Sequence, residues 1–541
     1  MHQIKISLKQ IITKMSISLG IVLVVGYLVV PHAGKKVSKP QSSQSSNSTS
    51  VKPSPDIKTS SNTSPATKGS SVSKSVAVSH PTSEQKRYYL LSAPNDPYYA
   101  SAWYLQSVNA PAAWATTTGS SSVTVADIDT GFALSHQDLS AHWKLNSGET
   151  GGGKETDGID NDDNGYVDDW RGWDFSRNSY VGDPGDNNPQ AGTTAPNGDG
   201  TSHGTETAGL IGAVGNNGTG TTAVSQNVSI LPLQVIDDTG SGYSDAVANA
   251  IYYAVRQGVD VINMSLGTSG NDPIVEQAVD YAHTHDVVVV AAAGNCGNAG
   301  ATGPCAGQAQ GYITFPASYD KVMAVGATDS NSTRASFSSY GPRLDVVAPG
   351  SGSIVSPTWV NGNGTTAYAT SLYGTSYASP IVASSVALIK SIRPSSTVDD
   401  MRALIMADAT KLSSMSGSFY STSYGHGMLN VNQAITVAGD LNATGEVTPT
   451  LAQAGGAQSE RSFSSSETLG SGCQISSGSW CSVWLRNTGT YNERYLPYTK
   501  ADISGTLGWS YNSSSLTNGN WEVRARDGST VSDTPYNLFK K

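Results

Sequence analysis

Four side chains able to do chemistry together stand where apolar segments begin or end. Asp129 closes "VTVADID", His203 opens "HGTETAGLIGAV", Asn295 closes "VVVVAAAGN", and Ser376 opens "SYASPIVASSVALI". A serine hydroxyl becomes a useful nucleophile when a base takes its proton, and an imidazole titrating near neutrality suits that task. The imidazole needs a carboxylate to fix its tautomer and to stabilise the imidazolium. A carboxamide such as that of Asn295, with an N–H at a helix start, can bind the oxyanion of a tetrahedral intermediate. These are the parts of acyl transfer through a serine. They are spread from position 129 to position 376, so a fold has to deliver them to one spot.

The elements that could do so are legible. Apolar, β-branched runs ("VTVADI", "VSILPLQVI", "VDVINMSL", "VVVVAAAG", "VMAVGA", "LDVVAPG") alternate with helix-like stretches such as "SDAVANAIYYAVRQG", "PIVEQAVDYAHTH" and "SPIVASSVALIKSIRP". Continuously apolar strands alternating with helices imply an α/β fold, a doubly wound and mostly parallel sheet covered on both faces. In such a sheet, ligands gather at the carboxyl ends of strands and at helix starts. The pattern predicts Asp129 and Asn295 at strand ends, helices opening at His203 and Ser376, and Pro380 in the first turn of the second helix. It stops near residue 440. Residues 441–541 are polar, carry Trp480, Trp484, Trp509 and Trp521, and read as a small all-β module whose tryptophans form its core.

The N-terminus has another character. Lys5, Lys9 and Lys14 precede the apolar run "MSISLGIVLVVGYLVV", and Lys35 and Lys36 follow it. Residues 1–33 fit a signal peptide or an uncleaved signal anchor, and either puts the body outside the cytoplasm. Residues 34–87 read as a disordered stalk, because Ser and Thr fill 22 of positions 34–83 and cannot bury a core. Residues 88–440 form the main domain. Residues 1–88 carry 12 basic and 2 acidic side chains, residues 89–541 carry 20 and 40. So acidic a body repels nucleic acid. Cys296 with Cys305 and Cys473 with Cys481 suggest two local disulfides, the simplest of three connectivities; zinc is the rival, without a close Cys-x-x-Cys pair.

On Asp129-Thr130-Gly131, His203-Gly204-Thr205, Ala292-Ala293-Gly294-Asn295 and Gly374-Thr375-Ser376-x-Ala378-Ser379-Pro380, the chain resembles the subtilisin-like serine proteases, the subtilases. It looks most like their bacterial secreted, thermitase-like branch, over roughly Ala93 to Ala438. The resemblance implies Ser376 as nucleophile, His203 as base and then acid, Asp129 as its orienting partner and Asn295 as oxyanion donor. It also implies a monomer that takes protein or peptide substrates as an added strand between "GSGYS" (Gly242, Tyr243) and "SLG" (Ser265, Leu266, Gly267), with Thr314 at the pocket base. Thr314 should make that pocket shallow.

Several residues depart from the family. Asp127 stands where an apolar residue is usual. It is read either as a carboxyl kept protonated by Asp129, two positions along the same strand face, or as one satisfied by local backbone. Glu206 replaces the second histidine of the usual His-Gly-Thr-His motif, as a His203 neighbour or as a good first-turn residue. The Asp-to-His separation implies an insertion around 145–195, and no folded propeptide of the usual inhibitory kind is recognisable.

Within the insertion, "DGIDNDDNGYVDD" alternates Asp160, Asp162 and Asn164 ahead of Gly165, the first half of an oxygen-rich calcium loop. Arg171 occupies the twelfth position, so the loop is no EF-hand, and Asp168 or Asp169 would close the shell; an exposed loop rich in Asx-turns is the alternative. The resemblance implies a second calcium site, at Asp138 and Asn217.

Two other functions were weighed. "GTSHG" at 200–204 formally matches a hydrolase elbow with Ser202 as nucleophile, but the preceding "APNGDG" cannot be the buried strand an elbow requires. A stalk-displayed surface protein binding through its C-terminal module is the second. His426 is read as structural, and His136, His142, His283 and His285 as surface residues without partners.

Overall fold

The computed structural model describes residues 93–176, 185–192, 199–360 and 365–444, and in the C-terminal region 450–452, 460–463, 468–474, 479–488, 490, 492–500, 506–512, 519–527, 530–531 and 536–540. The proposed export segment and stalk lie outside the described residues.

Seven strands build one parallel sheet: β1 (Gly119–Asp129), β2 (Trp173–Asp174), β3 (Asn227–Gln234), β4 (Val261–Met264), β5 (Val288–Ala292), β6 (Val322–Thr328) and β7 (Val346–Pro349). Their order is β2-β3-β1-β4-β5-β6-β7, so from β1 the chain passes to the edge strand β2, returns to β3 beside β1, and then winds outward on the other side from β4 to β7. The apolar runs are continuous because both sheet faces are covered; every residue of β4, β5, β6 and β7 is buried. Alternation then sorts the side chains. Val123 and Val125 of β1 join one core layer, whereas Ala126 and Ile128 join the other.

The helices are α1 (Trp103–Ser107), α2 (Ala110–Ala113), α3 (Asp199–Gly212), α4 (Ser244–Arg256), α5 (Pro273–Thr284), α6 (Thr375–Ile392), α7 (Val398–Ala407) and α8 (Val431–Thr444). α4 and α5 cover one face; α6 runs across the other and is buried along most of its length. Asp272 caps α5 by accepting from the Ile274 N–H, with Pro273 at the first position, where its missing donor costs nothing. A hairpin of β8 (Ile354–Pro357) and β9 (Tyr368–Leu372) lies against α3.

The C-terminal strands are mostly antiparallel: Trp480–Asn487 pairs with Gly519–Asp527 and with Glu493–Tyr495, whereas Glu460–Phe463 runs parallel to Tyr536–Lys540. Trp521 is fully buried and Trp484 stacks on Tyr495, as core residues do. This module docks on the main domain. Arg402 lies 3.3 Å from Glu493, Arg526 lies 3.4 Å from Asp400, and the Arg494 guanidinium covers the Tyr420 ring. His426 is buried at the seam, where its Nε2 accepts from the Tyr495 N–H at 3.0 Å.

Cys296 and Cys305 form a disulfide, and Cys481 is also disulfide-bonded; its expected pairing with Cys473 falls on a side chain outside the described residues. Two of the four histidines expected at the surface are not there. His136 is buried with Nε2 on the Ala367 carbonyl, and His142 with Nδ1 on the Gly212 carbonyl. Among the described residues no helix is long and apolar enough to cross a membrane.

Candidate active site

β1 ends at Asp129, at the carboxyl edge of the sheet. The Asp129 carboxylate is 1% exposed, accepts from the Thr130 N–H, and stands 2.6 Å from Nδ1 of His203. Its second oxygen is buried and has no partner among the described residues. That arrangement favours the His203 tautomer that carries its proton on Nδ1 and leaves Nε2 as the base.

The helix does not open at His203, as expected, but at Asp199, so the imidazole projects from the second turn. Thr130 anchors that turn, its hydroxyl accepting from the Gly204 N–H at 2.8 Å. A side chain at position 204 would collide, because an added Cβ would meet the Thr130 carbonyl at 2.5 Å. The "HGT" sequence is therefore a close approach of helix to strand end.

Ser376 is the second residue of α6, where backbone N–H groups have no partner inside the helix. Pro380 lies in the second turn, not the first. Its missing N–H is the one that would bond the Ser376 carbonyl. That carbonyl accepts instead from the Ser265 hydroxyl at 2.8 Å, while the Ser376 hydroxyl donates to the Ser265 carbonyl at 3.1 Å. The Ser376 hydroxyl thus rests against β4's continuation rather than on the imidazole. The ring of its neighbour, Tyr377, lies 5.6 Å from the His203 ring, which shows how near the two helix starts are.

Asn295, just beyond β5, is exposed. Its Oδ1 accepts from the N–H and the hydroxyl of Thr375, both at 3.1 Å. With the oxygen committed, the Nδ2 donor is what Asn295 offers the cleft. Thr375 in turn accepts from the Gly294 N–H.

Burial alone would lower the His203 pKa. The Asp129 charge and hydrogen bond, then the charge of Glu206, outweigh it and push the imidazole up to about 9. Glu206 is not a first-turn residue, because α3 begins at Asp199. It is buried, with one oxygen accepting from Thr358 and the other from the Tyr377 hydroxyl at 2.7 Å.

Of the expected substrate residues, Gly242 bridges antiparallel to Ile236, Tyr243 is 56% exposed, and Leu266 is half-buried. Gly267, Gly294 and Thr314 meet at one point: a Cβ on Gly267 would lie 2.6 Å from the Thr314 hydroxyl, and one on Gly294 2.8 Å from its methyl. Thr314 fills the space between the two glycines.

The calcium residues are sorted differently from the expectation. Asp160 and Asp162 converge with Glu149, their carboxylate oxygens all within 4.8 Å of one another. Sequence reasoning missed Glu149, because it lies before the loop and outside the alternating pattern. It is fully buried; Oε1 accepts from the Asn161 and Asp162 N–H groups, and Oε2 has no partner. Asp168 is not part of this group; its carboxylate accepts from the Gly158 N–H. Asn164 accepts from the Tyr166 N–H and donates to Asp169. Asp138 and Asn217 do meet, but by a hydrogen bond of 2.8 Å, and the other Asp138 oxygen accepts from the Thr221 N–H. Burial holds the Asp138 carboxyl up at about 6.

The model of the subtilase family matches residues 120–427, more than half of the chain. The chain belongs to the subtilase family. It is a subtilisin-like serine protease. This subtilase is 44% identical to Subtilisin DY of Bacillus licheniformis over 44% of its own length and 79% of that protein's. It is 37% identical to Thermitase of Thermoactinomyces vulgaris over 63% of its own length and 99% of that protein's. A solved structure of proteases from Pseudoalteromonas arctica covers 64% of this subtilase and 100% of that chain, with a TM-score of 0.51 and 29% identity. The rival nucleophile Ser202 lies inside α3, adjoining His203, and not at a strand-to-helix elbow.

Proposed function

We propose that this subtilase is a secreted or surface-anchored endopeptidase, monomeric, that hydrolyses extended polypeptides through Ser376, His203 and Asp129. The observation that carries the reading is the 2.6 Å Asp129–His203 contact beside a serine in the first turn of a helix. Residues 88–440 would form the peptidase domain and 441–541 its docked β module. A rotation about the Ser376 Cα–Cβ bond would move the hydroxyl from the Ser265 carbonyl towards Nε2. Oγ then bonds to the scissile carbonyl carbon as His203 takes the proton, and the oxyanion is met by the Asn295 Nδ2 and the Ser376 N–H. His203 gives the proton to the leaving amine, and water repeats the sequence to release the acyl group. The purified protein should clear casein. Failure to do so, with retained binding to cell-wall polymers, would favour the surface-binding alternative.

The base must be neutral, so activity rises with pH as His203 loses its proton. The kcat/KM profile is expected to inflect above the 6.5 of ordinary imidazole, towards about 9. Glu206→Gln removes one of the anions that holds the proton, so the inflection should move to lower pH. An unmoved profile would deny Glu206 that influence.

Thr314→Gly should deepen the pocket formed with Gly267 and Gly294. Cleavage mapping on a peptide library is expected to shift towards larger residues before the scissile bond, with an unchanged preference as the contrary result.

Calcium would be held by Glu149, Asp160 and Asp162. Three carboxylates this close repel unless a cation joins them, and oxygens within 4.8 Å suit ligands about 2.3–2.6 Å from one Ca²⁺. The ion would neutralise the loop and stabilise the native state. At a hundredfold excess over Kd that is worth about 2.7 kcal/mol. Chelation should therefore lower Tm, and Glu149→Gln should abolish most of the calcium-dependent increment. The Asp138–Asn217 pair, which brings a single carboxylate and no second acid, is expected to contribute less.

A further inference from the structure

Asp127 is the departure from the family that the mechanism above does not use. Its side chain shares a sheet face with Asp129 and is 0% exposed. Neither oxygen rests on local backbone. Oδ1 accepts from the Asn263 carboxamide of β4 at 2.8 Å, and Oδ2 lies 2.8 Å from the Thr207 hydroxyl of α3. Each contact leads to the catalytic elements. The Thr207 hydroxyl also lies 3.2 Å from the carbonyl of His203, one helical turn back. Asn263 donates to the Ser265 hydroxyl at 3.1 Å and accepts from the Ser379 hydroxyl of α6 at 2.7 Å. Ser265 then donates to the Ser376 carbonyl. Thr207, Asn263 and Ser379 are all 0% exposed and Ser265 is 5% exposed, so water does not compete for these bonds.

We propose that Asp127 is a positioning residue, one buried carboxyl that ties the helix carrying His203 to the strand and helix that hold Ser376. The inference rests on the peptidase reading.

The groups facing this carboxyl are Asp129 on its own strand, His203 and Thr207 on α3, and Asn263 on β4; Glu206 adds its charge to His203 from α3, and Pro232 is the register neighbour on β3. Burial first, then the Asp129 charge, hold the Asp127 carboxyl well above the usual carboxylate range. A neutral acid fits the contacts. Its O–H would donate to Thr207, leaving the Thr207 hydroxyl to donate to the His203 and Gly204 carbonyls at 3.2 and 3.1 Å, while the other oxygen accepts from Asn263.

The test compares Asp127→Val, Asp127→Asn and Thr207→Val in the full chain on a chromogenic peptide, with Tm measured alongside. Asp127→Val should lower kcat roughly tenfold to a hundredfold, the effect of small misplacements of reacting groups, with KM within about twofold. Asp127→Asn can donate to Thr207 and accept from Asn263, so it should restore kcat to within about threefold of wild type. Thr207→Val should lose kcat as Asp127→Val does. A folded Asp127→Val with a lower Tm but wild-type kcat overturns the proposal, as does an Asn variant as impaired as Val. Should Asp127→Val not fold, Thr207→Val decides: wild-type kcat in that variant overturns it. An inert wild-type protein defeats the peptidase reading and this inference together, whereas an active one with an unaffected Asp127→Val defeats only the inference.

Discussion

Replacing Ser376 by alanine should lower kcat by roughly 10⁶-fold, the order found when the serine of such a triad is removed. The change deletes one oxygen at the start of α6. The Ser376 carbonyl keeps its bond from Ser265, because the main chain is untouched. Asn295 and the helix-start N–H also remain, so a residual rate of about 10³–10⁴ over water is expected. Peptide hydrolysis at saturating substrate measures the loss. Ser202→Ala is the matched control, and its turnover should stay within an order of magnitude of wild type. A large loss in Ser202→Ala with Ser376→Ala unaffected would falsify the assignment.

The second large effect is expected at Asp129. Asp129→Asn retains shape but offers His203 a donor or a neutral acceptor instead of an anion 2.6 Å from Nδ1. The imidazole can then carry its proton on Nε2, where it cannot take one from serine, and kcat should fall about 10⁴-fold. The variant also loses the strongest influence that raises His203, so its residual activity should inflect at lower pH than that of wild type. A loss of only a few-fold, with the inflection unmoved, would mean that another group orients His203. Asn is nearly isosteric with Asp, so the substitution should leave the fold intact, which Tm checks.

How much of this was legible in the sequence depends on how far each interaction reaches. The sheet was legible because both its faces are covered: "VVVVAAAG" and "VMAVGA" are apolar throughout, and each reads as a strand without knowledge of its neighbours. The ends of those runs then located Asp129 and Asn295. Helix boundaries were less legible. α3 begins at Asp199, although its first residues include a glycine, because tertiary contacts such as Thr130 to Gly204 outweigh local propensity. Pro380 sits deeper in α6 than a first-turn rule suggests, and the carbonyl it releases is claimed by Ser265.

What could not be read were polar partners far apart along the chain. Asp127 finds Thr207 80 positions away and Asn263 136 positions away, and no periodicity announces such pairs. His136 and His142 are satisfied by backbone carbonyls, which leave no trace in residue types. Glu149 lies only 11 positions before Asp160 but outside the alternating pattern, and its burial beside the loop is visible only in the fold. An acidic residue shortly before two alternating carboxylates is the sequence signal for it.

The most direct measurement is to react the purified protein with a fluorophosphonate and to map the adduct by peptide mass spectrometry. A single phosphonylated serine, Ser376, is expected, with labelling that fails when Asp129 or His203 is replaced. An adduct on Ser202, or no adduct on a protein that still cleaves casein, would contradict it.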